Sequence, residues 1–433
     1  MSLLPVEEAL RAIAESTPLL PIEEVTPAEA LGRCLAEDVV APVDLPPFDN
    51  SAVDGYAISG DDLAALAEGT PMGGLALRVR GVVPAGGEMT SSALRRGETF
   101  RVMTGGRIPP GASAIVMRED VDEGEPIAAG AAAAGTADRG EVVRVLRGPR
   151  AGANVRGRGE EIGAGEPALL AGQLVNPGGL GFLIALGVDR VRVRRRPRVA
   201  LVATGDELVE AGGPLRPGAV RDSSTPTLAA LVASAGGEPV PLPIAPDDRA
   251  ILTERLREGL AHDALITTGG VSVGDYDFVK DALGSLGVEV RFWRVAMKPG
   301  KPFVYGVRGE TRVFGLPGNP GSSLACFERF VRPALRKMAG DPAWAPVDVE
   351  AVLDGECGNP GDRTYFVRAA LSWRDGRVRA RPLEGQGSGT LRSLAEANGF
   401  VMLPPGAIRR GRGALVSVHV LPNGYGAIRG EAR

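Results

Sequence analysis

Residues 267–277, TTGGVSVGDYD, decide the fold. They follow the apolar run 264–266 and lead into a stretch, 276–286, with helical spacing. Glycines between a strand and a helix let backbone approach a phosphate. Two further segments end apolar, β-forming runs in the same way: Lys298-Pro299-Gly300-Lys301-Pro302 and Leu316-Pro317-Gly318-Asn319-Pro320. Together they describe the rim of a parallel sheet, where doubly wound folds bind their ligands.

Outward from that rim, strands are expected at 199–203, 264–268, 288–295, 302–307 and 313–316. Helices are expected at 226–235 (capped by Ser223 or Ser224), 276–286 and 319–338. Their alternation predicts an α/β layer with a mostly parallel sheet. The expected fold class is multidomain α/β. A central doubly wound domain spans 191–341, with mostly β domains at 42–147 and 342–433. An N-terminal helical and linker domain is discontinuous, 1–41 plus 148–190. The first β domain rests on short runs at 75–83, 98–102, 114–117 and 141–145, broken by Gly and Pro. Residues 127–137, nearly all Ala and Gly, read as a mobile loop tip. In the helical part, Val6, Ala9, Leu10 and Ile13 share one helix face, and Thr26-Pro27 reads as the start of a second helix.

Bulk properties narrow the function. A net charge of −4 gives no general attraction to nucleic acid. Three cysteines, Cys34, Cys326 and Cys357, lie far apart, which argues against a disulfide framework and fits a reducing cytoplasm. With two histidines a zinc site is not expected. The N-terminus has no basic leader. The uncharged run 167–188 is long enough for a membrane, but its glycines, prolines, Gln173 and Asn176 read as a strand, a turn and a short helix.

The residues at the rim suggest phosphate and metal chemistry. Asp206 and Glu207 follow the strand 199–203 and its Gly turn, where carboxylates suit Mg²⁺ held against phosphate; solvated acids at a strand end fit equally well. Gly269, Gly270, Ser272 and Gly274 read as a phosphate loop, neither a Walker A loop nor a strict dinucleotide fingerprint; a glycine-rich turn with no ligand is the alternative. Asp277 reads as a helix cap or a metal ligand. Arg294, Lys298 and Lys301 around Pro299 would make an oxyanion site.

Seven segments in this order resemble one family: PPFDNSAVDGYA, RVMTGGRIPPGASAIVMRED, NVRGRGEEI, ATGDEL, TTGGVSVGDYD, AMKPGKP and GLPGNP. The chain resembles the MoeA/gephyrin E-domain family of molybdopterin molybdenumtransferases over nearly its whole length. The resemblance implies a homodimer whose cleft combines the α/β and terminal domains of one subunit with the β domain of the other. It implies that adenylylated molybdopterin and molybdate react with Mg²⁺, releasing AMP. Residue by residue, it implies catalytic or metal-holding roles for Glu207, Asp247 (or Asp248) and Asp277. It implies molybdate and pterin contacts from Arg294, Lys298, Pro299, Lys301, Arg368 and Ser388, and Asp54 and Thr104 from the second subunit. Contact with the pathway's adenylyltransferase is a further expectation. The chain departs from the family at Asp222-Ser223-Ser224, at Arg294 and at Gly321, where Val or Ala is common. Adenylylation of molybdopterin and a non-enzymatic scaffold are the alternative functions.

Overall fold

The computed structural model describes residues 3–69, 71–87, 92–124, 141–270, 278–422 and 429–430. The loop tip 127–137 lies outside them. The chain forms two compact units: residues 38–170 with 177–189, and the remainder.

The first unit holds a six-stranded sheet within residues 55–145, where Gly55–Ser59 pairs antiparallel with Ala112–Met117 and Glu98–Val102. Its core is Tyr56, Ile58, Leu77, Val116, Val143 and Val145. The uncharged run contains the strand Pro167–Leu169 and the helix Pro177–Ala185. Among the described residues no helix is long and apolar enough to cross a membrane.

In the second unit, helix α1 (Val6–Ser16) buries Val6, Ala9 and Ile13 against the α/β sheet. No helix follows Thr26-Pro27. One turn closes there, Ala30 N donating to Thr26 O at 3.0 Å, and Glu29 caps Thr26. The next backbone groups are already committed: Gly32 N bonds Val175 O and Leu35 N bonds Gln173 O, so the turn cannot propagate.

The sheet's strands are β1 (Arg198–Ala203), β2 (Glu238–Pro241), β3 (Ala264–Thr268), β4 (Glu289–Trp293), β6 (Val304–Arg308) and β7 (Thr311–Leu316). A two-residue strand, β5 (Met297–Lys298), leaves it. The order is β2-β1-β3-β7-β6-β4; the first four are parallel, and β6 and β4 run antiparallel at one edge. Alternate residues of β1 and β3 enter opposite cores: Val199, Leu201 and Ile266 on one face, Ala200, Val202 and Leu265 on the other. Strands buried on both faces read as continuous apolar runs, the signature of a doubly wound layer.

Helix α2 (Ser224–Ser234) is capped by neither serine. The Asp222 carboxylate accepts from Ser224 N and Thr225 N at 2.9 and 3.0 Å. Helices α3 (Arg249–Gly259) and α4 (Phe278–Ser285) follow, and the predicted helix 319–338 is three pieces: α5 (Pro320–Cys326), a π turn over Phe327–Val331, and α6 (Arg332–Met338). Pro333 lacks the N–H that would bond residue 329, and Arg332 N reaches back five residues to Phe327 O.

The terminal β region is a closed barrel. Its strands are β8 (Asp348–Leu353), β9 (Thr364–Arg374), β10 (Arg377–Pro382), β11 (Gly399–Leu403) and β12 (Leu415–Val420). Pairings run β9-β10-β8-β12-β11 and return to β9. Closure leaves no open edge among these five. β5 adds to β9 in parallel, pairing Met297 with Thr364 and Lys298 with Tyr365.

Asp348 ties the barrel to the π turn. It accepts from Arg329 Nη1 at 2.8 Å, and its other oxygen lies 3.1 Å from His419 Nδ1. Burial pushes the carboxyl up, but the His419 and Arg329 hydrogen bonds outweigh it and hold Asp348 below the ordinary carboxylate range. A depressed folded value contributes stability above the unfolded value of about 3.9, and loses it as pH falls through the folded one. The stability gap between the parent and Asp348→Asn therefore narrows below about pH 4. Urea midpoints at pH 6, 4 and 2.5 measure this; a constant gap would remove Asp348 from the linkage.

Candidate active site

The carboxyl ends of β1, β3 and β7 lie side by side and carry the sequence motifs. Thr204 N bonds Thr268 O at 3.1 Å, and Gly269 N bonds Leu316 O at 3.2 Å. The rim between them is glycine. Gly269, at φ +94°, faces Thr204 O; a Cβ there would lie 2.6 Å from that oxygen. Gly318 packs over Gly269, its own Cβ position 3.5 Å from Gly269 Cα. Gly270 is also at positive φ, +62°. Such a floor admits a flat ligand or a phosphate against backbone. Ser272, Gly274 and Asp277 lie outside the described residues.

Acids stand beside that floor. The Glu207 carboxylate folds over Gly205, where a Cβ would sit 2.4 Å from Glu207 Oε2. Asp247 N donates to Asp206 Oδ1 at 3.1 Å, and Asp206 N approaches Asp247 Oδ2 at 3.5 Å. The neighbouring Asp248 is spent on structure: its Oδ1 accepts from Ala250 N and Ile251 N and caps the helix Arg249–Gly259. Asp247, not Asp248, is therefore the carboxylate facing the β1 loop. Glu207 and Asp247 offer hard oxygen donors, which fit Mg²⁺ in kind. Among the described residues no group of three or more His, Cys, Asp or Glu is close enough to hold a metal.

The second half of the site is cationic. Arg368, on β9, is only 2% exposed. Its Nη2 donates to Gly385 O and Gly387 O at 2.9 and 2.8 Å, while Nε and Nη1 are buried without partners among the described residues. Burial pulls its pKa below the ordinary arginine value, and the neighbouring Tyr365 partly offsets this. Gln386 pins the strand here, donating to Arg368 O and accepting from Arg368 N, both at 2.9 Å. Ser388 stands beside it: its carbonyl accepts from Gly321 N at 2.8 Å and its hydroxyl from Asn319 Nδ2 at 3.1 Å. Lys298, on β5, holds its ammonium 4.3 Å from the Tyr365 ring centroid.

The structure thus brings Arg368 and Ser388 together around Gly321 and sets Lys298 one strand away. Pro299 follows Lys298 through a cis peptide bond. Arg294 and Lys301 are exposed, with Arg294 in the left-handed region at φ +84°. In the other unit, Asp54 Oδ1 accepts from Thr104 N and Thr104 Oγ1 at 2.7 and 2.8 Å. These bonds, the backbone one foremost, hold the Asp54 carboxyl below the ordinary range. Asn319, Tyr365 and Gln386 were not singled out from sequence. Gln386 carried a signal, a lone amide bracketed by glycines in GQGSG.

Three family models match in order: MoeA N-terminal region (domains I and II) over residues 4–187, probable molybdopterin binding domain over 200–337, and MoeA C-terminal region (domain IV) over 350–421. "Molybdopterin molybdenumtransferase 2" of Mycobacterium tuberculosis is 36% identical, covering 95% of this chain and 98% of that protein. The molybdopterin molybdenumtransferase of Bacillus subtilis is 34% identical over 93% of this chain and 90% of its own. The structure of a molybdopterin biosynthesis MoeA protein from Pyrococcus horikoshii OT3 superposes with a TM-score of 0.78 at 31% identity, covering 97% of this chain and all of that one. With the same domains in the same order and relatives alike from end to end, the chain belongs to the MoeA family of molybdopterin molybdenumtransferases.

Proposed function

We propose that this chain, a transferase of molybdenum cofactor biosynthesis, inserts molybdate into adenylylated molybdopterin, cleaving the phosphoanhydride in an Mg²⁺-dependent step and releasing AMP. The observation that carries the reading is Arg368: a buried guanidinium whose Nε and Nη1 have no partner among the described residues, close to Ser388 across Gly321. Burying an unpaired cation is costly unless an anion completes it. Molybdate, a compact dianion, suits charge-assisted hydrogen bonds from Arg368, with Ser388 and Lys298 adding a hydroxyl and a second positive charge.

The glycine floor of Gly269, Gly270 and Gly318 receives the flat pterin and its phosphate, and the acids stand at its edge. Glu207 and Asp247 would hold Mg²⁺, which when bound polarises the phosphoanhydride. The chain's own part is positioning: it fixes oxyanion and phosphate so that reaction needs little reorganisation. Arg294, Pro299 and Lys301 shape the same strand end. A homodimer is part of the reading, with the Asp54–Thr104 pair arriving from the second copy. So is contact with the adenylyltransferase that makes the substrate.

The test is AMP release from adenylylated molybdopterin with and without Mg²⁺ and molybdate. Release needing both ions is expected, with molybdenum appearing in the pterin. Asp247→Asn loses the Mg²⁺-dependent release by at least about 100-fold, a few kcal/mol of transition-state stabilisation. Asp248→Asn retains it, because asparagine caps a helix as well as aspartate does. Pyrophosphate made from ATP and molybdopterin would move the chain to the adenylylation step. Equal losses in both variants would remove Asp247 from its role.

A further inference from the structure

At the amino ends of the parallel strands, opposite the glycine rim, lies a cavity of about 350 Å³. Its wall includes Arg33, Cys34, Arg194, Arg196, Arg336 and Asp341, together with the last residues of α2. The arrangement follows from the chain's path. Arg194 and Arg196 precede β1, Arg336 lies in α6, and Arg33 sits where residues 32–35 are clamped by 173–175.

Four arginines line the cavity against one acidic residue, Asp341. Arg336 Nε is neutralised by Asp341 Oδ2 at 2.6 Å, and Arg33 pairs with Glu23. Arg194 and Arg196 have no carboxylate partner among the described residues. Arg194 donates to Leu20 O at 2.9 Å, and Arg196 donates over 3.4 Å to Gly236 O. Two positive charges are therefore left uncompensated. In addition Arg33, 8% exposed, keeps a buried Nε without a partner. The Cys34 thiol offers no compensation: burial pushes its pKa up to about 11, so it stays neutral and unreactive at physiological pH.

Clustered guanidinium groups repel one another unless an anion completes them, and arginine forks match tetrahedral oxyanions. The volume falls within the range of small-molecule sites and exceeds that of a bare phosphate ion. We propose that this cavity is a second, non-catalytic binding site for a small phosphate-bearing molecule, held chiefly by Arg194 and Arg196. The last α2 carbonyls are largely engaged by backbone: Leu231 O and Val232 O accept from Ala235 N, and Ala233 O accepts from Gly236 N. The site is independent of the transferase reading: its wall contains none of the residues assigned to molybdate, pterin or Mg²⁺.

Calorimetric titration of the full chain with glycerol 3-phosphate and with inorganic phosphate tests the site. Saturable binding is expected for the phosphomonoester and weaker binding for inorganic phosphate. In Arg194→Gln/Arg196→Gln the Kd rises by at least about tenfold, one charge-assisted contact or more. Arg368→Gln leaves it unchanged. If the double variant shows no cooperative thermal transition, Arg196→Gln alone replaces it, since among the described residues the Arg196 side chain makes only the long bond to Gly236 O. Equal affinity in parent and variant overturns the proposal, as does no saturation in the parent at about 10 mM, where an affinity of even about 4 kcal/mol would register. Inorganic phosphate binding as tightly as the ester would replace the phosphomonoester with the free ion as the ligand.

Discussion

Arg368→Met removes molybdate-dependent AMP release, by at least about 100-fold, while leaving the fold as stable as the parent or more stable by about 1 kcal/mol. The two effects share one cause. The Arg368 guanidinium is desolvated, and two of its donor nitrogens have no partner among the described residues. That state is held against a cost of roughly 1–3 kcal/mol per unsatisfied group. Methionine fills similar volume without polar atoms, and the carbonyls it releases, those of Gly385 and Gly387, belong to exposed residues that water can reach. Urea denaturation and quenched-flow AMP assays on one preparation read both effects. A fall of several degrees in Tm, with activity intact, would mean that Arg368 is a structural arginine.

The second large effect is expected at Gly321. A Cβ there would lie 2.4 Å from Arg368 Nη1 and 2.8 Å from Ser388 O. The guanidinium tip cannot simply swing aside, because Gly385 O and Gly387 O hold it, and Ser388 O is backbone. Gly321→Ala therefore displaces the arginine, the serine or both. Overpacking of this kind costs about 1–3 kcal/mol. The kinetic signature is a rise in KM for molybdate of at least about tenfold, with kcat changed less, because the oxyanion's ligands move while the glycine floor does not. The companion variant Gly318→Ala meets, among the described residues, only Gly269 atoms at 3.5 Å or beyond, and should leave molybdate affinity unchanged. Equal molybdate KM in parent and Gly321→Ala would show that Arg368 does not read the dianion.

Much of this was legible in the residues, for reasons that can be named. Strands buried on both faces must be continuously apolar, so β1, β3 and β7 announced themselves, and glycine loops at their ends marked the rim. Local chemistry was read less well where two candidates competed. Serine is a good helix cap, but the Asp222 carboxylate reaches the same N–H groups. Proline was taken for a helix start at Thr26-Pro27, yet the following backbone is claimed by residues 173–175. Long-range pairing was not legible. That β9 closes on β11, or that β5 joins β9, depends on partners far apart in sequence and leaves no periodic mark. Arg368 showed the same limit: its motif could be matched, but not its burial or its missing partners.

The pairing of β5 with β9 also acts as a measuring rod. Lys298 reaches the barrel from the sheet's chain, yet its hydrogen-bond neighbour is Tyr365, three residues from Arg368 on the same strand. The two cations thus ride on one ladder. Any displacement of the barrel relative to the glycine rim would carry them as a pair and change their distance from that rim without changing their spacing. In the proposed reaction, the spacing of the two cations around the oxyanion would then be set by the barrel's own ladder.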